Sequence, residues 1–136
     1  MTETRKELEQ LLKQFSESMK NGKFDKNLFT DDADLNCSHT GHGQGTEAAR
    51  LLPLPEVEVE AVKQNIENLI LHWKGDESQM SFHLHQLFIK HAENGEFHYF
   101  QYGGTFVLSC IRDQKEGLWK IQKLIFDLCW TEGNTY

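Results

Sequence analysis

The apolar positions of this chain follow two periods. Near the amino terminus Leu8, Leu11, Leu12, Phe15 and Met19 recur at helical spacing on one face. Thr4-Arg5-Lys6-Glu7 has the spacing of a capping box, and Asn21-Gly22 supplies a left-handed stop, so an amphipathic helix is expected between them. From Gln64 to Trp130 the pattern changes to alternation, in segments rich in aromatic and β-branched residues. Glycine-bearing turns at Lys74-Gly75-Asp76-Glu77, Ala92-Glu93-Asn94-Gly95-Glu96 and Arg112 to Gly117 divide that stretch. Four antiparallel strands of roughly 10 to 15 residues follow, against a usual ~5 to 6, and sheets of such long strands twist and curl. A curled sheet has an inside.

The stretch between is more broken. Phe24 to Phe29 suits one or two helical turns, and Thr30-Asp31-Asp32-Ala33 leads into a modest strand from Asp34 to His39. His39-Thr40-Gly41-His42-Gly43-Gln44-Gly45 reads as a loop of high conformational freedom. Thr46 is placed to cap a short helix over Glu47 to Leu52, which Pro53 stops. Glu56 to Val62 alternates as a strand does, although a proline followed by glutamates also opens helices; the extended reading is the favoured one. The layout is α+β over a single domain, residues 1–136: a cone-shaped, curved sheet, antiparallel in its meander, wrapped on the amino-terminal helices.

Composition narrows the partners. A formal net charge of -7 argues against nucleic acid and anionic membrane surfaces, which need a positive stripe. No apolar run approaches ~18 residues, and Met1 to Gln10 is charged where a signal peptide needs an apolar core, so the expected location is cytoplasmic. Three cysteines without CxxC spacing suggest free, buried thiols rather than a disulfide framework or a zinc site.

Several stretches resemble the nuclear-transport-factor-two-like superfamily, which includes ketosteroid isomerase, scytalone dehydratase and the SnoaL-like polyketide cyclases. They are Phe29-Thr30-Asp31-Asp32-Ala33, Gly43-Gln44-Gly45-Thr46-Glu47-Ala48-Ala49, Gly117-Leu118-Trp119-Lys120-Ile121 and Trp130-Thr131-Glu132-Gly133-Asn134, in family order. The resemblance implies a cystatin-like roll, an apolar pocket at the open end of the cone, and often a homodimer through the outer sheet face. It implies no organic cofactor. Ungapped counting puts the isomerase tyrosine, base and oxyanion aspartate on Phe15, Cys37 and Leu108, none of which can do those jobs. If Leu108 faces the pocket, alternation puts Phe100, Tyr102, Phe106 and Cys110 beside it. Tyr99, Gln101, Thr105, Val107, Ser109 and Ile111 then point outward, a face apolar enough to pair with a second sheet.

The candidate chemistry is sparse. His39, in the glycine loop after the family's base strand, suits general acid or base work near neutral pH. Cys37 becomes a nucleophile only if its pKa is lowered. Asp127, an acid in the apolar run from Leu124 to Trp130, is either at a solvent rim or buried and shifted toward proton transfer. In His83-Leu84-His85 the two histidines share a strand face about 6.5 to 7 Å apart, as in a metal-holding cupin barrel, yet an outer, half-solvated face explains them without metal. The expected site therefore has His39, Asp127 and Tyr102 as candidate catalytic residues, with Phe15, Cys37, Phe106 and Leu108 as pocket lining and no metal. Its ligand is a small apolar, polyketide- or steroid-like molecule. Either dehydratase, cyclase or isomerase chemistry or a non-catalytic binding module fits.

Overall fold

A computed structural model describes residues 2–53, 59–91 and 95–133. Helix α1 (Thr2–Asn21) precedes a 3-10 turn at Lys26–Leu28 and strands β1 (Phe29–Cys37) and β2 (Gly41–Gln44). A 3-10 segment, Gly45–Leu51, leads on to β3 (Ala61–Lys74), β4 (Glu77–His91), β5 (Phe97–Arg112) and β6 (Trp119–Gly133). The six strands form one curved sheet in the order β2-β1-β6-β5-β4-β3. Neighbours are antiparallel, in the meander as expected, except β1 and β6, which run parallel and make the sheet mixed.

The helix buries the expected stripe: Leu8, Leu11, Leu12, Phe15 and Met19 are all in the core. It does not start with the expected capping box. The helix begins at Thr2, which puts Thr4 inside the first turn. The Thr4 hydroxyl and the Glu7 carboxylate instead accept hydrogen bonds from Arg112 at 3.4 and 3.2 Å, and Glu7 also accepts from the Trp119 indole N–H at 3.1 Å. Those contacts pin the start of α1 to the ends of β5 and β6. Gly22, with φ of 70°, ends the helix as the sequence suggests, and the Lys23 N–H donates to Ser18 O at 3.0 Å.

The first strand is longer than expected at its start, because β1 already pairs with β6 at Phe29 and resumes after an irregularity at Asp34. The glycine loop is partly a strand: residues 41–44 fold back on β1 with Cys37 opposite Gly41. The short helix expected over Glu47 to Leu52 is present as a 3-10 segment, Gly45–Leu51, that starts two residues earlier. The favoured extended reading of Glu56 to Val62 falls partly on residues 56–58, which lie outside the described residues; β3 begins at Ala61. Residues 92–94 of the second expected turn also lie outside them.

Alternation in the meander is as expected, with Tyr102, Phe106, Leu108 and Cys110 buried on the cone side of β5. Phe15 of the helix meets Phe29, Phe82 and Phe106 edge-on, at centroid separations of 6.3, 6.5 and 5.4 Å. Phe106 stacks in turn on Phe126 at 4.4 Å. The sheet can curl this closely because β5 carries Gly103-Gly104 at its bend. A Cβ on Gly104 would fall 2.4 Å from the Phe126 ring and 2.7 Å from the Asp127 carbonyl; the atoms nearest to one on Gly103 all belong to the Trp130 side chain, the first at 2.2 Å.

This difference is testable. Gly104→Ala pushes on backbone and packed core and is expected to cost about 1 to 3 kcal/mol in chemical denaturation. Gly103→Ala meets a half-exposed indole that can swing away, and should cost clearly less while shifting the tryptophan emission. Equal costs would contradict the packing described.

Candidate functional site

Three residues in register across neighbouring strands carry the cone's buried polar row: Gln64 of β3 opposite Gln86 of β4, and Gln86 opposite Tyr102 of β5. Gln86 and Tyr102 are 0% and 1% exposed, so each polar atom needs a partner. Gln64 Nε2 donates to Ser16 O of α1 at 2.9 Å and to Gln86 Oε1 at 2.6 Å, and Gln86 Nε2 donates to the Tyr102 hydroxyl oxygen at 2.8 Å. The direction of this chain has a chemical consequence. Because the phenol oxygen already accepts, its own O–H is left to donate, and the helix backbone at Ser16 anchors the whole row. Burial raises the Tyr102 pKa and the Gln86 bond opposes that, while the Cys37 sulfur raises it further, so the group is a protonated donor at neutral pH.

Around the phenol lie Phe88, Phe100 and Phe126, with ring centroids 6.3, 6.3 and 5.8 Å away. Cys37 is buried at the end of β1, where desolvation pushes its thiol up to about 11 against a lowering hydrogen bond to Thr40. It is therefore a thiol, not a thiolate nucleophile. His39 sits two residues on, at the rim. Its ring meets the Phe126 edge at 5.6 Å, and partial desolvation lowers its pKa from 6.5, favouring the neutral base. The rim is held by Ser38, whose N–H donates to Phe126 O and whose Oγ accepts from the Leu128 N–H, both at 2.9 Å. Thr40 Oγ1 donates to Leu51 O at 2.8 Å and ties the hairpin to the 3-10 segment.

The structure thus brings together Tyr102, Cys37 and His39, the last two through β1 and its hairpin and all three around Phe126. It does not bring Asp127 to them. Phe126 points into the cone, so alternation turns Asp127 to the opposite, outer face, where it is exposed. The expected lining also divides. Phe15 and Phe106 pack in the aromatic core, and Leu108 is buried opposite Met80 and Leu124, six residues along β5 from Tyr102 or about 20 Å. Gln64 and Gln86 were missed by sequence reasoning. The available signal was a single amide in the otherwise apolar inward series Phe82, Leu84, Gln86, Phe88.

His83 and His85 are on the outer face, away from the cone. His83 is exposed, and His85 Nε2 pairs with Gln101 Oε1 at 2.7 Å. Among the described residues no group of three or more His, Cys, Asp or Glu is placed to hold a metal ion, and the open mixed sheet is not a cupin barrel. Among them, too, no helix is long and apolar enough to cross a membrane.

No family model and no curated protein sequence matches this chain. Solved structures do. A putative scytalone dehydratase from Novosphingobium aromaticivorans superposes with a TM-score of 0.76 at 13% identity, covering 100% of this chain and 93% of its own. A hexachlorocyclohexane dehydrochlorinase from Novosphingobium barchaimii gives 0.67 at 16% identity over 98% and 92% of the two chains. A nuclear-transport-factor-two-like superfamily protein from Salmonella enterica gives 0.70 at 14%, over 100% and 95%. The chain has the fold of that superfamily.

The two kinds of thiol are separable by chemistry. Cys129 is exposed and should be alkylated first, whereas Cys37 and Cys110, buried and pushed up to about 11 and about 12, should react only on unfolding. Mass spectrometry of iodoacetamide-treated native protein checks this; fast labelling of Cys37 would mean a thiolate and reopen it as a nucleophile.

Proposed function

We propose that this domain binds a small, largely apolar molecule bearing one hydrogen-bond acceptor, such as a carbonyl oxygen, at the end of the cone that holds Tyr102. The observation that carries this reading is the Gln64–Gln86–Tyr102 row, which leaves a buried phenol proton to donate among aromatic rings. An apolar surround with one oriented donor selects a molecule of matching polarity, since an unmatched buried polar group costs about 1 to 3 kcal/mol.

An enzymatic reading is favoured by a second observation, the neutral histidine at the rim. With Tyr102 holding an oxygen and His39 taking a proton from a neighbouring carbon, the pair suits lyase or isomerase chemistry without an organic cofactor. Two of the proteins of like fold are named as a dehydratase and a dehydrochlorinase, which accords with that class. The outer sheet face, partly apolar at Val107, Ile111 and Ile125, supports pairing of two copies.

The acceptor requirement is tested with 2-acetylnaphthalene against 2-ethylnaphthalene, which lacks the carbonyl. The ketone should bind about 3- to 10-fold tighter, the worth of one net hydrogen bond, and Tyr102→Phe should erase that preference. A preference that survives the substitution sinks the role given to Tyr102. For any substrate turned over, the acid limb should lie below the usual histidine value of 6.5, because the folded-state pKa is lowered and the base stays neutral further into acid. The stability sign follows: His39 protonates more readily unfolded, so its penalty is absent above 6.5 and grows as pH falls below it. His39→Gln should abolish turnover while leaving ketone binding; retained turnover would remove His39 as the base.

A further inference from the structure

The Gln64–Gln86–Tyr102 row does not end at Tyr102. Thr131 of β6 is opposite Tyr102 in register, so one line of four polar residues crosses β3, β4, β5 and β6. Thr131 faces the cone because both its neighbours face away. The Trp130 ring stands 5.3 Å from that of His85 on the outer face, and Glu132 accepts there from Gln101 Nε2 at 2.9 Å. The rows on either side have only carbon in their side chains. Ile66, Leu84, Gly104 and Leu128 are in register on the deeper side, and Val62, Phe88, Phe100 and Gly133 on the mouth side.

This polar row is tied at one end and free at the other. Gln64 is fixed by the Ser16 carbonyl. The Thr131 hydroxyl is exposed and has no hydrogen-bond partner among the described residues. Pairing of β1 with β6 stops at Phe126, which leaves Thr131 open at the mouth. Water satisfies the hydroxyl while the cone is empty. A molecule held by Tyr102 displaces that water, and one without a matching group strands the hydroxyl.

We infer that Thr131 is a specificity-determining residue that takes a second oxygen of the ligand, and that the ligand is a ketone with a hydroxyl about one six-membered ring away from its carbonyl group. This rests on the reading that the cone binds an apolar carbonyl compound through Tyr102, and adds what else that compound carries. Opposed residues of an antiparallel pair have Cβ atoms about 4.5 to 5.5 Å apart. Tyrosine reaches a ring further from the sheet than threonine does, and Gln86 holds the phenol oxygen on the β4 side, away from β6. The two hydroxyls therefore face opposite ends of a ring-sized space rather than a single atom. Neighbouring inward rows are about 6.5 to 7 Å away along the strands and are apolar, so the ligand's polar atoms lie in one line across the strands. A threonine hydroxyl both donates and accepts, as a ligand hydroxyl does.

The test is calorimetric titration with acetophenone, 4′-hydroxyacetophenone, 2′-hydroxyacetophenone and ethylbenzene. The hydroxyl across the ring should tighten binding about 3- to 10-fold over acetophenone, the worth of one net hydrogen bond. The hydroxyl beside the carbonyl should not. Thr131→Val, which keeps the shape and loses the hydroxyl, should remove the gain without weakening acetophenone; Thr131→Ser should keep it. Acetophenone binding no tighter than ethylbenzene overturns the Tyr102 reading and this inference with it. If acetophenone is preferred to ethylbenzene, yet the 4′-hydroxyl gains nothing or its gain survives Thr131→Val, Thr131 loses this role and the Tyr102 reading stands. An equal gain from the 2′-hydroxyl overturns the ring-sized separation.

Discussion

One helix has to cover a sheet longer than itself. A 20-residue helix is about 30 Å long, whereas strands of 15 residues reach about 50 Å. The only way to bury the inner face is to curl the sheet around the helix and cover the remainder with something else. The aromatic contact from Phe15 through Phe106 to Phe126 closes one part of the cone, and the 3-10 segment with Ala48 and Leu51 covers another. Cys37 ends the strand that this second cover packs on, and Tyr102 is tied to the helix through Gln86 and Gln64. The position of the candidate site is thus a consequence of unequal element lengths rather than of any catalytic motif.

Curling needs places where the ladder yields. Asn68 adopts φ of 58°, a left-handed conformation asparagine tolerates, at the irregularity between Glu67 and Ile70 of β3. Gly103-Gly104 do the same work in β5 by lacking side chains between close-packed rings. A two-residue period was legible from Gln64 to Trp130, and with it the faces of Tyr102, Phe106 and Leu108, because alternation in a half-buried strand is set by local chemistry. Bulges depend on what the neighbouring strand does and left no comparable trace. The capping box misled for a related reason: Thr4 and Glu7 have the right spacing, but Arg112 and Trp119, more than 100 residues away in the chain, compete for the same oxygens.

The candidate site was legible only in part. Tyr102 and Cys37 could be placed on the cone side by counting, and His39 at its rim follows from the hairpin. The glutamines could not be weighted, since Gln64 and Gln86 matter only as a row, and a row exists only once β3, β4 and β5 are in register. Their value is directional. Two amides in series convert a backbone carbonyl at Ser16 into an orientation of the Tyr102 hydroxyl, and a one-residue slip of β4 would place Leu87 in the row and leave the phenol without its donor.

The same logic links the two faces of β6. Phe126 and Leu128 point toward the cone, and strict alternation would send Trp130 after them, to fill the space beside Tyr102. The register instead shifts between Gly103 and Gly104, so that Leu128 is opposite Gly104 while Trp130 is opposite Gly103, with Cys129 as the extra residue. The shift turns the indole outward and puts Thr131, a much smaller side chain, opposite Tyr102. The bulge that absorbs Cys129 therefore keeps a large ring out of the cone beside the phenol and at the same time lays the indole over Gly103 on the outer face. Deleting Cys129 would leave Leu128 and Trp130 adjacent in an unbroken ladder with the indole still outward, so the bulge is the device by which the strand carries one extra residue without exchanging its inner and outer faces.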